Sequence, residues 1–172
     1  VMKNVMKYAK ILKKDPENYE ARAEIMWCGS LSHNGLTGCG TCGGDWATHL
    51  MEHELGGMFD VAHGAGLAAV WGSWARYVMD EKPERFAQFA VDVMGVEESD
   101  DVKSTALKGI EAVEEFYRMI EMPTNMKELG INPTDEQIKD MAMKATNHDT
   151  QQLGAFKKLS AKDLVEIYKI AK

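Results

Sequence analysis

The sequence predicts a single all-α domain over residues 1–172. Apolar residues recur every three or four positions along almost the whole chain, which is the period of an amphipathic helix. No segment alternates between apolar and polar residues convincingly enough to predict a strand. The hydrophobic fraction of 45% is that of an ordinary globular protein, and a chain of 172 residues can bury a core of its own. We therefore expect about eight helices packed as one domain.

The helices are located by their apolar stripes and by signals at their ends. The stripe of the first helix lies between Met2 and Leu12. Further helices are predicted near residues 17–35, 45–57, 62–81 and 83–95, around the stripe 106–120, near 134–147, and from 161 to the end. Pro83 suits a first helical turn because its φ is fixed, and Ser160 and Asp163 have the spacing of a capping box. The buried stripe predicted for the helix at 83–95 consists of Phe86, Phe89, Ala90 and Val93.

The charge and the cysteine count restrict the partners and the compartment. A net charge of -7, without a basic face or stripe, argues against a nucleic-acid partner. No apolar run approaches the ~20 residues of a membrane-spanning helix, and the first residues lack the layout of a signal peptide. The cysteines are Cys28, Cys39 and Cys42, and an odd number is typical of free thiols in a reducing cytoplasm. We expect a cytoplasmic protein that binds neither nucleic acid nor membrane.

Three of the five histidines, His49, His53 and His63, lie close together in the sequence. Neutral imidazole is the commonest protein ligand of divalent metals, so this clustering favours a metal site over three unrelated histidines. His49 and His53 are four residues apart and share one face of a helix. On a straight helix His63 would lie roughly 21 Å from His49. The chain must therefore turn back if both histidines approach one site.

The segment before and after the third histidine contains signals for such a reversal. Gly56 and Gly57 can break the first helix, and Asp60 can cap the next one. Gly64 and Gly66 would allow a helix or a ligand to approach closely. Tight packing between helices explains these glycines equally well.

Two other functions fit part of the same segment. His49, Glu52 and His53 match the His-x-x-Glu-His pattern of inverted zinc peptidases, in which the glutamate is a base. This interpretation assigns no role to His63 and its glycine-rich surroundings. A non-catalytic helical interaction module, in which the histidines bind nothing, is the other alternative.

Other patterns favour structural roles. Residues 38–43 match the Gly-x-Gly-x-x-Gly string of dinucleotide-binding loops, but that string works between a strand and a helix, and here a helix precedes it. A loop between two helices is the better interpretation. Cys39 and Cys42 have the spacing of a zinc or redox pair, but there is no second pair, so we expect no zinc there. His33 and His148 have no partners at ligand spacing and are expected to be structural or exposed.

The three clustered histidines and their flanks resemble the signature of iron-containing alcohol dehydrogenases. His49 and His53 begin a His-x-x-x-His-x-x-Gly string, and nine residues separate His53 from His63, which a glycine follows. Residues 27–36 (Trp-Cys-Gly-Ser-Leu-Ser-His-Asn-Gly-Leu) and 45–49 (Asp-Trp-Ala-Thr-His) resemble the butanol dehydrogenase and broad aldehyde reductase branch. The resemblance covers most of the chain.

The resemblance implies the helical C-terminal, metal-binding domain of the dehydroquinate synthase-like fold. An N-terminal Rossmann-like domain, absent from this chain, would hold most of the NAD(P)H. The resemblance also implies one divalent metal, iron or zinc, between the two domains, with His49 and His63 among its ligands. His53 corresponds to a signature histidine near the nicotinamide and the substrate, so it is the expected catalytic and cofactor-contacting residue. An aspartate and a histidine that usually complete the ligand set have no counterpart here, and the chain alone is expected to be inactive.

The implied activity is the NAD(P)-dependent interconversion of primary alcohols and aldehydes, as in a butanol dehydrogenase. The metal would act as a Lewis acid on the alcohol or aldehyde oxygen while hydride moves to or from the nicotinamide. His53 would relay the proton. The expected partners are a small alcohol or aldehyde substrate and a second copy of the protein in a homodimer.

Overall fold

Eight α-helices make up most of the computed structural model within the residues that it describes, 1–41 and 43–172. They are α1 (Met2–Lys14), α2 (Tyr19–His33), α3 (Ala47–Phe59), α4 (His63–Val78), α5 (Pro83–Phe89), α6 (Val102–Met119), α7 (Asp135–Ala145) and α8 (Ala161–Ala171). Two 3-10 turns (Leu36–Gly38 and Met79–Glu81) and a π-helical turn (Ala90–Met94) extend or connect them. The β pairing in these residues is limited to a single antiparallel bridge between Leu153 and Leu159. The predicted all-α class is confirmed.

Helix α4 lies at the centre of the domain, because α3, α6 and α8 all pack against it. Small side chains on its core face allow these helices to approach closely: Gly66, Ala68, Ala69, Val70, Gly72, Ser73, Ala75 and Val78. The larger buried side chains come from the surrounding helices: Met51, Leu55, Ile110, Ile138, Met141, Leu164, Ile167 and Tyr168. Burying one such apolar side chain contributes about 1.5–3 kcal/mol. The buried apolar residues of α3 to α8 thus join in one continuous core. The stripe predicted between Met2 and Leu12 does not take part in it, because its residues are exposed or half-buried.

Several predicted helix ends are confirmed. In α8 the Ser160 hydroxyl accepts from the Asp163 amide, and the Asp163 carboxylate accepts from the Ser160 amide, which completes the capping box. Pro83 is the first residue of α5. Helix α6 begins at Val102, earlier than its apolar stripe indicated, because the Asp101 carboxylate accepts two amide hydrogen bonds from the first turn.

The segment predicted as one helix at 83–95 consists of two pieces, α5 and the π-helical turn that follows it. Of its predicted buried stripe, Phe86 and Ala90 are buried, whereas Phe89 and Val93 are half-buried. The apolar period therefore identified the correct face of the helix, but two of its four residues are less buried than predicted.

The turn between α3 and α4 differs from the one that the sequence suggested. Helix α3 continues through Gly56 and Gly57, so the prediction that they break it is wrong. Each interior glycine costs about 1 kcal/mol relative to alanine, but Leu55 is fully buried and its packing holds the helix. Asp60 adopts a left-handed conformation with φ 53° and ends α3, whereas the N-cap of α4 is Ala62. The prediction that Asp60 caps α4 is therefore also wrong. Asp60 ends α3 instead, in a left-handed conformation that short polar side chains tolerate.

Helices α1 and α2 form a hairpin at the periphery of the domain, and α1 also contacts the π-helical turn. The residues of α2 that are buried are Ala21 and Cys28, while Tyr19, Met26 and Trp27 are exposed. Within the part of the chain described here, no helix combines the length and the apolar character needed to cross a membrane.

Candidate metal and active site

The three clustered histidines meet at the junction of α3 and α4. His49 and His53 lie on α3, and His63 is the first residue of α4. The ring centroid of His63 lies 5.4 Å from that of His49 and 5.5 Å from that of His53. Two imidazoles on one tetrahedral ion have centroids roughly 5 Å apart, since a zinc ion lies ~2.1 Å from each nitrogen. The predicted reversal of the chain brings the histidines to the spacing that a shared ion requires.

Beneath the histidines lies the carboxylate of Glu52, which is 1% exposed. It occupies the face of α3 that packs against α4 and is hydrogen-bonded to Nδ1 of His63. A ring nitrogen that donates its proton to a carboxylate is not available to bind a metal, so Nε2 is the ligand atom left to His63. Carboxylate–histidine–metal chains of this kind are common around protein metal sites.

Close packing around Glu52 depends on a glycine of α4. A Cβ atom added to Gly66 would lie 2.6 Å from Oε1 and 2.7 Å from Cγ of Glu52, well inside van der Waals contact. The prediction of close approach is therefore confirmed for Gly66, although the neighbour is a carboxylate. At Gly64 the predicted close approach of a helix is wrong, because a Cβ atom there would meet none of the described residues within 4 Å. The approach of a ligand to Gly64 stays a prediction.

Among the described residues, one group of side chains at this junction has the spacing of metal ligands. One potential ligand atom each from Glu52, His53 and His63 lies within 4.8 Å of the others, a group that omits His49. The Glu52 carboxylate is already bonded to His63 Nδ1, and a shared ion would have to break that contact. Imidazole nitrogens are therefore more suitable donors here than the Glu52 carboxylate, and such donors fit iron or zinc.

His49 is the most enclosed of the three histidines, being half-buried while His53 and His63 are exposed. Burial lowers the pKa of His49, and repulsion from the neighbouring His63 and His53 lowers it further. The neutral form, which is the form that binds metals, is thereby favoured. The indole of Trp46 packs edge-on against His49, with ring centroids 4.9 Å apart.

Asp45 fixes the entrance to α3 beside His49. One carboxylate oxygen accepts from the Ala47 amide at 2.9 Å. The other accepts from the amides of Ala155 and Phe156, both at 2.8 Å. Asp45 therefore ties the start of α3 to the loop before α8 and positions Phe156 near the histidines.

A cavity of about 560 Å³ opens beside His49. Its lining combines residues of the loop before α3 with Trp46, Lys82, Arg85 and Phe156. A second cavity of about 380 Å³ shares Arg85 and Phe156 and is otherwise lined mainly by apolar side chains, including Trp71 and Phe89. The volume is sufficient for a small organic molecule next to the histidines.

The remaining candidates lie apart from this cluster. His33 and His148 are exposed, as predicted. Cys28 and Cys39 are free thiols, whereas the predictions on Cys42 and on the pair that it would form fall outside the described residues. A 3-10 turn follows α2 at the start of the glycine-rich loop, so this loop joins helical segments, as predicted.

The contact between Glu52 and His63 was not predicted from the sequence. A signal was available, because Glu52 falls on the apolar face of α3 together with Met51 and Leu55. A charged residue at a core position requires a partner. The pattern could not name His63, because that pairing depends on the turn between the helices.

Comparison with known proteins gives a consistent result. Residues 1–172 match the family described as "Fe-containing alcohol dehydrogenase family, C-terminal". The chain is 31% identical over 170 residues to NADH-dependent butanol dehydrogenase A of Clostridium acetobutylicum, covering 98% of this chain and 43% of that protein. It is 34% identical over 142 residues to the NADPH-dependent aldehyde reductase YqhD of Escherichia coli, covering 82% of this chain and 35% of that protein.

The fold matches a solved structure of the same kind. The crystal structure of NADH-dependent butanol dehydrogenase A from Thermotoga maritima superposes with a TM-score of 0.88 at 34% identity. The match covers 98% of this chain and 43% of that one. The chain thus spans less than half the length of the relatives that it matches.

Proposed function

The chain belongs to the Fe-containing alcohol dehydrogenase family, and we propose that it is the metal-binding part of an enzyme that interconverts primary alcohols and aldehydes with NAD(P)H. The observation that carries the proposal is the convergence of His49, His53 and His63 beside an open cavity. The names of the relatives, an NADH-dependent butanol dehydrogenase and an NADPH-dependent aldehyde reductase, support the reaction type.

We assign the metal ligands of this chain to His49 and His63, with an iron or a zinc ion as the candidate metal. The half-buried position of His49 and its lowered pKa suit a neutral ligand. The carboxylate of Glu52 on Nδ1 of His63 leaves Nε2 of that ring free for the ion. When bound, the ion supplies a Lewis acid for the substrate oxygen, and the nicotinamide supplies or accepts the hydride.

The residues of this chain would orient the substrate and move its proton. His53 is exposed on the same face of α3 as His49, so its imidazole can exchange a proton between the substrate oxygen and solvent. Trp46 packs against His49 and lines the cavity, where it limits the space beside the ligand. The apolar neighbouring cavity favours an aliphatic chain on the substrate.

The peptidase alternative receives no support from the geometry of Glu52. A general base must reach the water that it activates, whereas Glu52 is buried and bonded to His63. The free thiols of Cys28 and Cys39 agree with the cytoplasmic location that we propose. The homodimer stays a prediction.

The test uses the protein encoded by the whole gene, purified and depleted of metal with a chelator. We expect reduction of butanal with NADH or NADPH to return when iron or zinc is added. The chelated protein without added metal is the control. A His148→Ala variant controls for the loss of an exposed histidine outside the cluster and should keep full activity.

Absence of aldehyde reduction with either cofactor and either metal would reject the proposed activity. Casein cleavage that disappears in a Glu52→Gln variant would instead favour the peptidase. Neither activity, together with no metal uptake, would favour a helical interaction module.

A further inference from the structure

Glu52 is a buried carboxylate that takes no direct part in the proposed reaction. It is 1% exposed at the interface of α3 and α4. Burial of a carboxylate is unfavourable unless hydrogen bonds compensate for the lost water. Among the described side chains, the partner that compensates Glu52 is His63. The contact therefore combines a buried acceptor with one exposed imidazole.

The position of this carboxylate is set by the backbone of both helices. The site of a Cβ atom on Gly66 lies 2.6 Å from Oε1, and the corresponding site on Gly56 lies 3.4 Å from the same oxygen. Glycine at 66 thus leaves the space that the carboxylate fills. The close approach of both helices limits the space in which the Glu52 carboxylate can lie, as expected for a side chain that has to hold another in place.

His63 gains most from this contact because little else restrains it. Its side chain is 51% exposed, and it stands at the first position of α4. A neutral imidazole in water can carry its proton on either ring nitrogen, and the hydrogen bond to one nitrogen decides which tautomer is populated. Acceptance by Glu52 requires the proton on Nδ1, so the lone pair lies on Nε2.

We propose that Glu52 is the positioning residue of His63: it holds the imidazole in the Nδ1–H tautomer and in one orientation, so that Nε2 is presented to a divalent ion. The inference rests on the proposed function, in which His63 is a metal ligand. The tautomer of His63 can nevertheless be measured in the metal-free protein.

The first test is the 15N NMR spectrum of the histidine side chains in the metal-free protein, at a pH at which His63 is neutral. We expect the Nδ1–H tautomer at His63 in the wild type and a shift towards Nε2–H in Glu52→Ala. Glu52→Gln should retain the Nδ1–H form, because its amide oxygen can still accept. Glu54→Ala, which removes a carboxylate elsewhere on α3, is the matched control and should leave the tautomer unchanged.

The second test is titration of the metal-free protein with Zn²⁺. Loss of a residue that orients a ligating histidine typically reduces metal affinity by about 10–100-fold. We expect a reduction of this size in Glu52→Ala, a smaller one in Glu52→Gln, and none in Glu54→Ala. If Glu52→Ala does not fold, Gly66→Ala displaces the carboxylate from the other helix and should shift the tautomer of His63 in the same direction.

The two tests separate this inference from the proposed function. An Nε2–H tautomer in the wild type, or a tautomer that is unchanged in both Glu52→Ala and Gly66→Ala, overturns the positioning role. Zn²⁺ affinity that is equal in the wild type and Glu52→Ala also overturns it. If the Nδ1–H tautomer of His63 depends on Glu52 but the protein binds no metal, the contact is supported and the proposed metal site is rejected.

Discussion

The centroids of the His49 and His63 imidazole rings lie 5.4 Å apart, although the two residues belong to different helices and are fourteen positions apart in the sequence. The three-residue turn at 60–62 produces this approach by reversing the chain between α3 and α4. Two ligands on separate, packed helices are held more rigidly than two on one loop. The junction of α3 and α4 is therefore suited to bind one ion in a fixed geometry.

The first prediction distinguishes ligands from the catalytic histidine. In the protein encoded by the whole gene, His49→Ala and His63→Ala should abolish metal retention, because each removes a ligand and opens the site to water. His53→Ala should keep the metal but lose turnover. Metal stoichiometry measured beside kcat for the three variants checks this.

Glu52, His53 and His63 also have the spacing of metal ligands, so the same experiment tests whether His53 is a ligand. If His53→Ala loses its metal as fully as the other two variants, His53 is a ligand and its assignment as the proton carrier is wrong. His33→Ala, at an exposed position, is the control and should change neither quantity.

The second prediction concerns the glycines of α4. Gly66→Ala should lower the free energy of unfolding by about 1–3 kcal/mol, since the new Cβ atom collides with the buried Glu52. Gly64→Ala is the matched control, because it lies in the same helix with open space around it. It should be neutral or stabilise the helix by up to about 1 kcal/mol. Urea denaturation of both variants gives the comparison, and equal stability would contradict the close contact.

The helices were largely predictable from the sequence because their apolar stripes depend on a short-range period. The capping box of Ser160 and Asp163 was predictable for the same reason. The continuation of α3 through Gly56 and Gly57 was not, because packing of Leu55 in the core outweighs the helix-breaking tendency of two glycines. Local propensity has the smaller effect where tertiary burial opposes it.

In the candidate site, too, one feature was predictable from the sequence and another was not. Clustering of His49, His53 and His63 indicated a shared metal, and the rings do converge. The pairing of Glu52 with His63 was not predictable, since it depends on how the two helices face each other after the turn. Sequence spacing within one helix contains no information on that arrangement.

The third prediction is a pH dependence at the interface of α4 and α8. The Tyr77 hydroxyl donates to the Asp163 carboxylate at 2.6 Å. This hydrogen bond, with burial, raises the pKa of Tyr77 to about 12, from an ordinary value of about 10. The folded state therefore holds the proton more tightly than the unfolded state. The contribution of this hydrogen bond to the free energy of unfolding is complete below pH ~10 and is lost as the pH rises through ~12.

Comparison with Tyr77→Phe checks this dependence. The stability difference between the wild type and Tyr77→Phe should be constant below pH ~10 and should shrink as the pH rises towards ~12. Tyr19→Phe, at a position 85% exposed, is the control and should show no such trend. A difference that grows above pH ~10 would contradict the hydrogen bond to Asp163. Urea denaturation at each pH supplies the values.

The last prediction is that the 172-residue chain, produced by itself, folds but reduces no aldehyde. Its core is continuous from α3 to α8, so it does not depend on another domain for burial. The described residues contain no strand–loop–helix unit of the kind that holds a dinucleotide pyrophosphate, and hydride transfer requires the nicotinamide to be held against the substrate carbon. Circular dichroism should show mainly helix, and butanal reduction with NADH or NADPH should stay at background with added iron or zinc. Turnover by the isolated chain would mean that the cofactor site lies within these residues.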